Sequence, residues 1–121
     1  MDLNTLQTLA RQGIAGVNGE QLRDLAVWCG DYSEATGDAR YASIGRALYE
    51  LFEWLSWHDE RGGIPVQLMS EIEETIKRML PEILAAESAR DAAPLARTFR
   101  QEILHRLSFP EDWEASGYVG N

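Results

Sequence analysis

Apolar side chains recur along this chain at intervals of three and four, the spacing of one-faced helices, and nowhere alternate as strand residues do. Residues 3–12 read as a first helix, with Leu3, Leu6, Leu9 and Ala10 on one face and Gly13 and Gly16 punctuating its end. Residues 19–29 read as a second. Asn18 is placed to cap it, and Leu22, Leu25, Ala26 and Cys29 share a face. Gly30 and the run Thr36-Gly37-Asp38 mark a loop.

Asp38 then caps a third helix reaching about Trp57 or Asp59. Its Tyr41, Ile44, Leu48, Leu51 and Leu55 step by 3, 4, 3 and 4, and Phe52 widens the seam. Arg61-Gly62-Gly63 ends it, and Pro65 sits where a first-turn proline is tolerated. Met69, Ile72, Ile76, Met79 and Ile83 repeat the stepping on a fourth helix. Pro81 falls within that phase, so a kink is expected there rather than a break, with fraying by residues 88–90. Asp91 and Pro94 open a last helix to about Leu107, with Leu95, Phe99, Ile103 and Leu107 inward. The expected fold is all-α: a compact bundle of four to five short helices over residues 1–108. A non-helical C-terminal tail over 109–121 is expected to pack on the bundle or contact a partner. The seams at 41–55 and 69–83 predict a central antiparallel pair, with Leu48, Leu51, Leu55, Ile72 and Ile76 among the most buried residues.

Charge changes this picture more than composition does. Apolar and charged fractions of 45% and 26% are ordinary for one globular domain of 121 residues, but the net charge is −9. Such a field repels nucleic acid and anionic lipid and attracts basic proteins. The single cysteine, Cys29, excludes an intramolecular disulfide and lies on an apolar helix face as a small core residue. The N-terminal Met1-Asp2-Leu3-Asn4 has no secretion-signal character, and no apolar run approaches a membrane span. A cytoplasmic protein of bacterial or phage origin is the expectation.

Candidate chemistry is sparse. Glu102 and His105 form one Glu-x-x-His, where carboxylate-bridged di-iron bundles need two, and His105 falls opposite the inward residues. Glu50 and Glu53, followed by Glu71 and Glu74, have the paired-carboxylate spacing that could hold Mg²⁺ for an all-α nucleotide phosphohydrolase. The same spacing recurs at Asp31/Glu34 and Glu111/Glu114, and Glu50 and Glu53 lie away from the Leu48/Leu51 seam. His58 and Asp59 are adjacent and so do not face each other on a helix. Ser56 and Ser70 lack a nucleophile context, and no glycine-rich phosphate loop is present. No catalytic residue, metal or cofactor is assigned, and a non-enzymatic protein is expected.

The third helix departs from a simple amphipathic pattern. Opposite its seam it carries Tyr49, Trp54 and Trp57 among Glu50, Glu53 and Glu60, and the tail repeats this chemistry with Trp113 and Tyr118 beside Glu111, Asp112 and Glu114. A helix apolar on most of its circumference either is central, with its aromatics in the core, or binds something. As a surface, rings ringed by carboxylates suit a partner bearing Arg and Lys. The expected site is therefore Tyr49, Glu50, Glu53, Trp54, Trp57, Glu60 and Trp113. The expected function is a protein-binding module inhibiting a basic partner, a profile shared in composition by immunity proteins, antitoxins and phage inhibitors. The phosphohydrolase is one alternative. A homo-oligomeric structural or adaptor protein, such as a homodimer, using Trp54 and Trp57 for self-association is the other.

Overall fold

A computed structural model describes residues 3–17 and 19–107. Five helices follow one another: α1 (Leu3–Gln12), a 3-10 turn (Gly13–Gly16), α2 (Gly19–Thr36), α3 (Ala39–Glu60), α4 (Val66–Ala85) and α5 (Ala89–Arg106). No strand occurs among the described residues, and none of these helices is long and apolar enough to cross a membrane. The all-α bundle is thus as the apolar periodicity requires. Asn18 and the tail lie outside the described residues.

Local chemistry sets several boundaries. Asp38 caps α3 by accepting the Arg40 backbone N–H at 3.1 Å. At the far end Gly62 and Gly63, at φ +107° and +122°, adopt the left-handed backbone that glycine tolerates, and the Gly63 N–H closes onto the His58 carbonyl at 2.9 Å. Ser88, rather than Asp91, caps α5, its hydroxyl accepting the Asp91 N–H at 3.1 Å. Both Pro81 and Pro94 lie inside helices that run on through them.

Three expectations need correction. First, α2 does not end at Gly30 but continues to Thr36. Packing one turn further on outweighs the glycine: Trp28 stacks on Tyr32 at 4.7 Å between centroids, and Tyr32 meets Tyr41 of α3 edge-on at 4.8 Å. Second, the inward face of α5 is Ala92, Ala96, Phe99 and Ile103, while Leu95 is 40% exposed. Third, α3 and α4 are not the central pair. α3 packs on α2 and α5, α4 packs on α5 and α1, and contact between α3 and α4 is slight. The small Ala92 and Ala96, both fully buried, let α5 approach closely and lie between the two seams. Leu48, Leu51, Ile72 and Ile76 are buried as expected, and Leu55 is half-buried.

Candidate functional site

Because α3 is covered by α2 on one side and α5 on another, its buried arc is wide. Arg40, Ile44, Ala47, Leu51 and Trp54 follow one buried line, with Tyr41, Gly45 and Leu48 beside it. Trp54 is 0% exposed and belongs to the core rather than to a surface, with the His58 ring 4.4 Å away. Glu50 is also buried and forms an ion pair with Arg46 at 3.4 Å. These two residues leave the expected contact face.

Tyr49, Glu53 and Trp57 are half-buried, and Glu60 is exposed. Burial pushes the Tyr49 phenol above its ordinary value, and the charge of Glu53 and the hydrogen bond to it act in the same direction. The Arg61 guanidinium lies 4.1 Å above the Trp57 ring and 3.6 Å from the Glu60 carboxylate. Trp113 lies outside the described residues.

The metal alternative fares no better on geometry. Among the described residues no three His, Cys, Asp or Glu side chains are grouped to hold an ion. Glu71 and Glu74 stand exposed on α4, a helix that makes only slight contact with the α3 of Glu50 and Glu53. Glu102 is bound instead by Arg106, whose hydrogen bond and charge hold its carboxyl below the usual range, and His105 is exposed.

Charge is unevenly shared between the halves of the bundle. From residue 19 to 63 nine Asp and Glu oppose four Arg, whereas from 64 to 107 seven oppose six Lys and Arg. All four arginines of the first half are held by carboxylates of the chain: Arg23 by Asp24 at 3.2 Å, Arg40 by Asp38 at 2.9 Å, Arg46 by Glu50 and Arg61 by Glu60. Glu20, Asp31 and Glu34 stand exposed along α2, and Asp59 stands exposed on α3. With half-buried Asp24 and with Val27, Glu20, Asp31 and Glu34 step by 4, 3, 4 and 3, so they share one face of α2, with Val27 53% exposed at its centre.

Beside this face lies a groove of about 410 Å³ between α2 and α3. Ala26, Gly30, Ser33 and Glu34 line it from α2, and Ala42, Gly45, Arg46 and Tyr49 from α3. Sequence reasoning found Tyr49 and missed the rest. Ala26 reads only as part of the apolar face of α2, Gly30, Ala42 and Gly45 give no hydrophobic periodicity, and Ser33 and Glu34 join the lining because α2 continues past Gly30. Comparison with protein-family models, with curated proteins and with solved structures finds no match to this chain.

Proposed function

We propose that this chain is a non-enzymatic binding module whose acidic α2–α3 half engages and occludes a basic protein, acting as its inhibitor in a prokaryotic cytoplasm. The observation that supports this reading is the commitment of every arginine on that half to an internal carboxylate. The outward field there is then set by Glu20, Asp31, Glu34, Glu53 and Asp59, of which Glu53 is half-buried. A surface of one sign with low-dielectric walls steers an oppositely charged partner and rejects anionic ones. Tyr49 and Trp57 add partly exposed ring area, and Arg61, over the Trp57 ring and beside Glu60, is an example within the chain of the ring-and-carboxylate combination that receives arginine side chains. Trp54 and Glu50, being buried, are left out of the contact surface.

Affinity capture followed by stopped-flow kinetics with the isolated partner tests the reading. The partner should have an isoelectric point above neutrality, and its association should slow as salt rises, because screening shortens the reach of the field. Charge reversal at Asp31 and Glu34 should slow association with little change in dissociation. An acidic partner, or association indifferent to salt, overturns it.

A further inference from the structure

The groove between α2 and α3 contains two glycines in opposite circumstances. At Gly45 a Cβ would lie 2.9 Å from the Ala26 carbonyl oxygen and 3.0 Å from Cys29 Cβ, so the two helices reach this depth of contact only with glycine there. At Gly30 a Cβ would meet nothing within 4 Å. Gly30 is exposed in the interior of an 18-residue helix and has no left-handed backbone to accommodate. Glycine in that setting weakens a helix relative to alanine, because ordering its backbone costs more. Neither the packing of the chain nor its backbone conformation requires it. What the missing side chain does is keep the groove floor at the level of the main chain, with exposed Ala42 facing it from α3.

We propose that this groove is the docking site for a helix of the basic partner, with Gly30 and Ala42 at the point of closest approach; this rests on the partner charge inferred above. A floor of glycine and alanine admits another backbone closely, as helix-in-groove recognition requires. The charge at its edges selects the occupant. Glu34 lines one wall, Asp31 stands beside it on the outward face, and Tyr49 with Glu53 marks the α3 end. The one cation in the lining, Arg46, is paired with Glu50. A second copy of this chain would bring its own Asp31 and Glu34 against these carboxylates, which like-charge repulsion opposes. A helix with small residues on the apposed face and arginines flanking them fits both features.

Two synthetic helical peptides test the proposal, both with alanine along one face, one flanked by arginine and the other by glutamate. Each is titrated into the ¹⁵N-labelled full chain at low and at raised salt. The arginine peptide should shift the amide signals of Ala26, Gly30, Ala42 and Gly45, more weakly at raised salt, and the glutamate peptide should not. Gly30→Leu, which fills open space and should leave the helical spectrum intact, should weaken the arginine peptide at least tenfold. Binding of the arginine peptide that leaves the groove signals unmoved, or that survives Gly30→Leu, overturns the groove and spares the basic-partner reading. Equal binding of both peptides overturns the charge selection. Binding of neither overturns both, and concentration-dependent dimerisation through the groove signals makes the occupant a second copy.

Discussion

Arg40 donates from Nη1 to the main-chain carbonyl of Ala86 at 2.8 Å, joining the first turn of α3 to the C-terminal end of α4. The same nitrogen donates to the Ile83 carbonyl at 2.9 Å, and Nε meets both Asp38 carboxylate oxygens, at 3.0 and 2.9 Å. The last carbonyls of a helix carry partial negative charge and lack intrahelical donors, so a guanidinium there satisfies them and the dipole together. Asp38 in turn both caps α3 and orients the arginine. α3 and α4 thus communicate at one end through a polar clamp, although α5 packs between them.

Arg40 is only 5% exposed, so its loss strands two carbonyls and leaves the Asp38 carboxylate with its helix-capping bond alone. Arg40→Ala should cost roughly 3 kcal/mol in urea unfolding, the scale for breaking a buried charged hydrogen-bond set. Arg40→Lys should recover only part of this, because an ammonium cannot span carboxylate and carbonyls in one plane. A loss below about 1 kcal/mol for Arg40→Ala would mean that the clamp is dispensable.

The two groove glycines should respond to the same substitution with opposite signs. Gly45→Ala forces a Cβ against main chain that cannot yield cheaply and should destabilise by about 1–3 kcal/mol. Gly30→Ala meets open space and should stabilise by about 0.5–1 kcal/mol, the intrinsic preference of a helix for alanine. Thermal unfolding of the two variants beside the parent decides this, and destabilisation by Gly30→Ala would show that the fold needs that glycine.

How much of this was legible beforehand depends on the range of the forces involved. The Asp38 cap and the glycine stop of α3 were readable because their chemistry is local to a few residues. The end of α2 was not, because the penalty at Gly30 is local while the reward, Tyr32 against Tyr41, comes from another helix. Periodicity also measures side-chain size rather than proximity: it favoured Leu95 over Ala92 and Ala96, whose smallness lets α5 come between α3 and α4. The seams named the buried faces correctly but not their partners. Trp54 and Trp57 were grouped on one face although helical phase separates them: Trp54, three residues after Leu51, borders the seam, and Trp57 lies nearly opposite it. Arg40, a cation in a first turn, gives no sign in the sequence that it is buried.

Cys29 is fully buried, and burial pushes its thiol from an ordinary 9.0 up to about 12. The unfolded chain therefore loses this proton at lower pH than the folded one. The resulting contribution to stability is complete below pH 9 and is lost as pH rises toward 12. Tyr41 and Tyr49, whose phenols burial also raises, act in the same sense. Over its full range the thiol contributes on the order of 4 kcal/mol. Urea midpoints between pH 7 and 11 should fall more steeply in the parent than in Cys29→Ala, and iodoacetamide should label Cys29 only on unfolding. Parallel pH profiles for the two proteins would contradict the burial argument.

Trp54 and Trp57, less than a turn apart on α3, should separate stability from binding. Trp54 has no exposed surface, and Trp54→Ala leaves a cavity among core residues; a loss of roughly 3–5 kcal/mol is expected. Trp57 is half-buried and supports the Arg61 guanidinium over its ring at 4.1 Å. Its truncation removes one cation–π contact of about 1 kcal/mol and some apolar cover, so the variant should stay folded. With a basic partner, Trp57→Ala should act chiefly through faster dissociation, since a ring contributes contact rather than long-range field. Glu53→Lys with Glu60→Lys should instead slow association, most at low salt. If Trp57→Ala unfolds the protein as Trp54→Ala is expected to, its ring is core and the contact face contracts to the α2–α3 groove and the acidic face of α2 beside it.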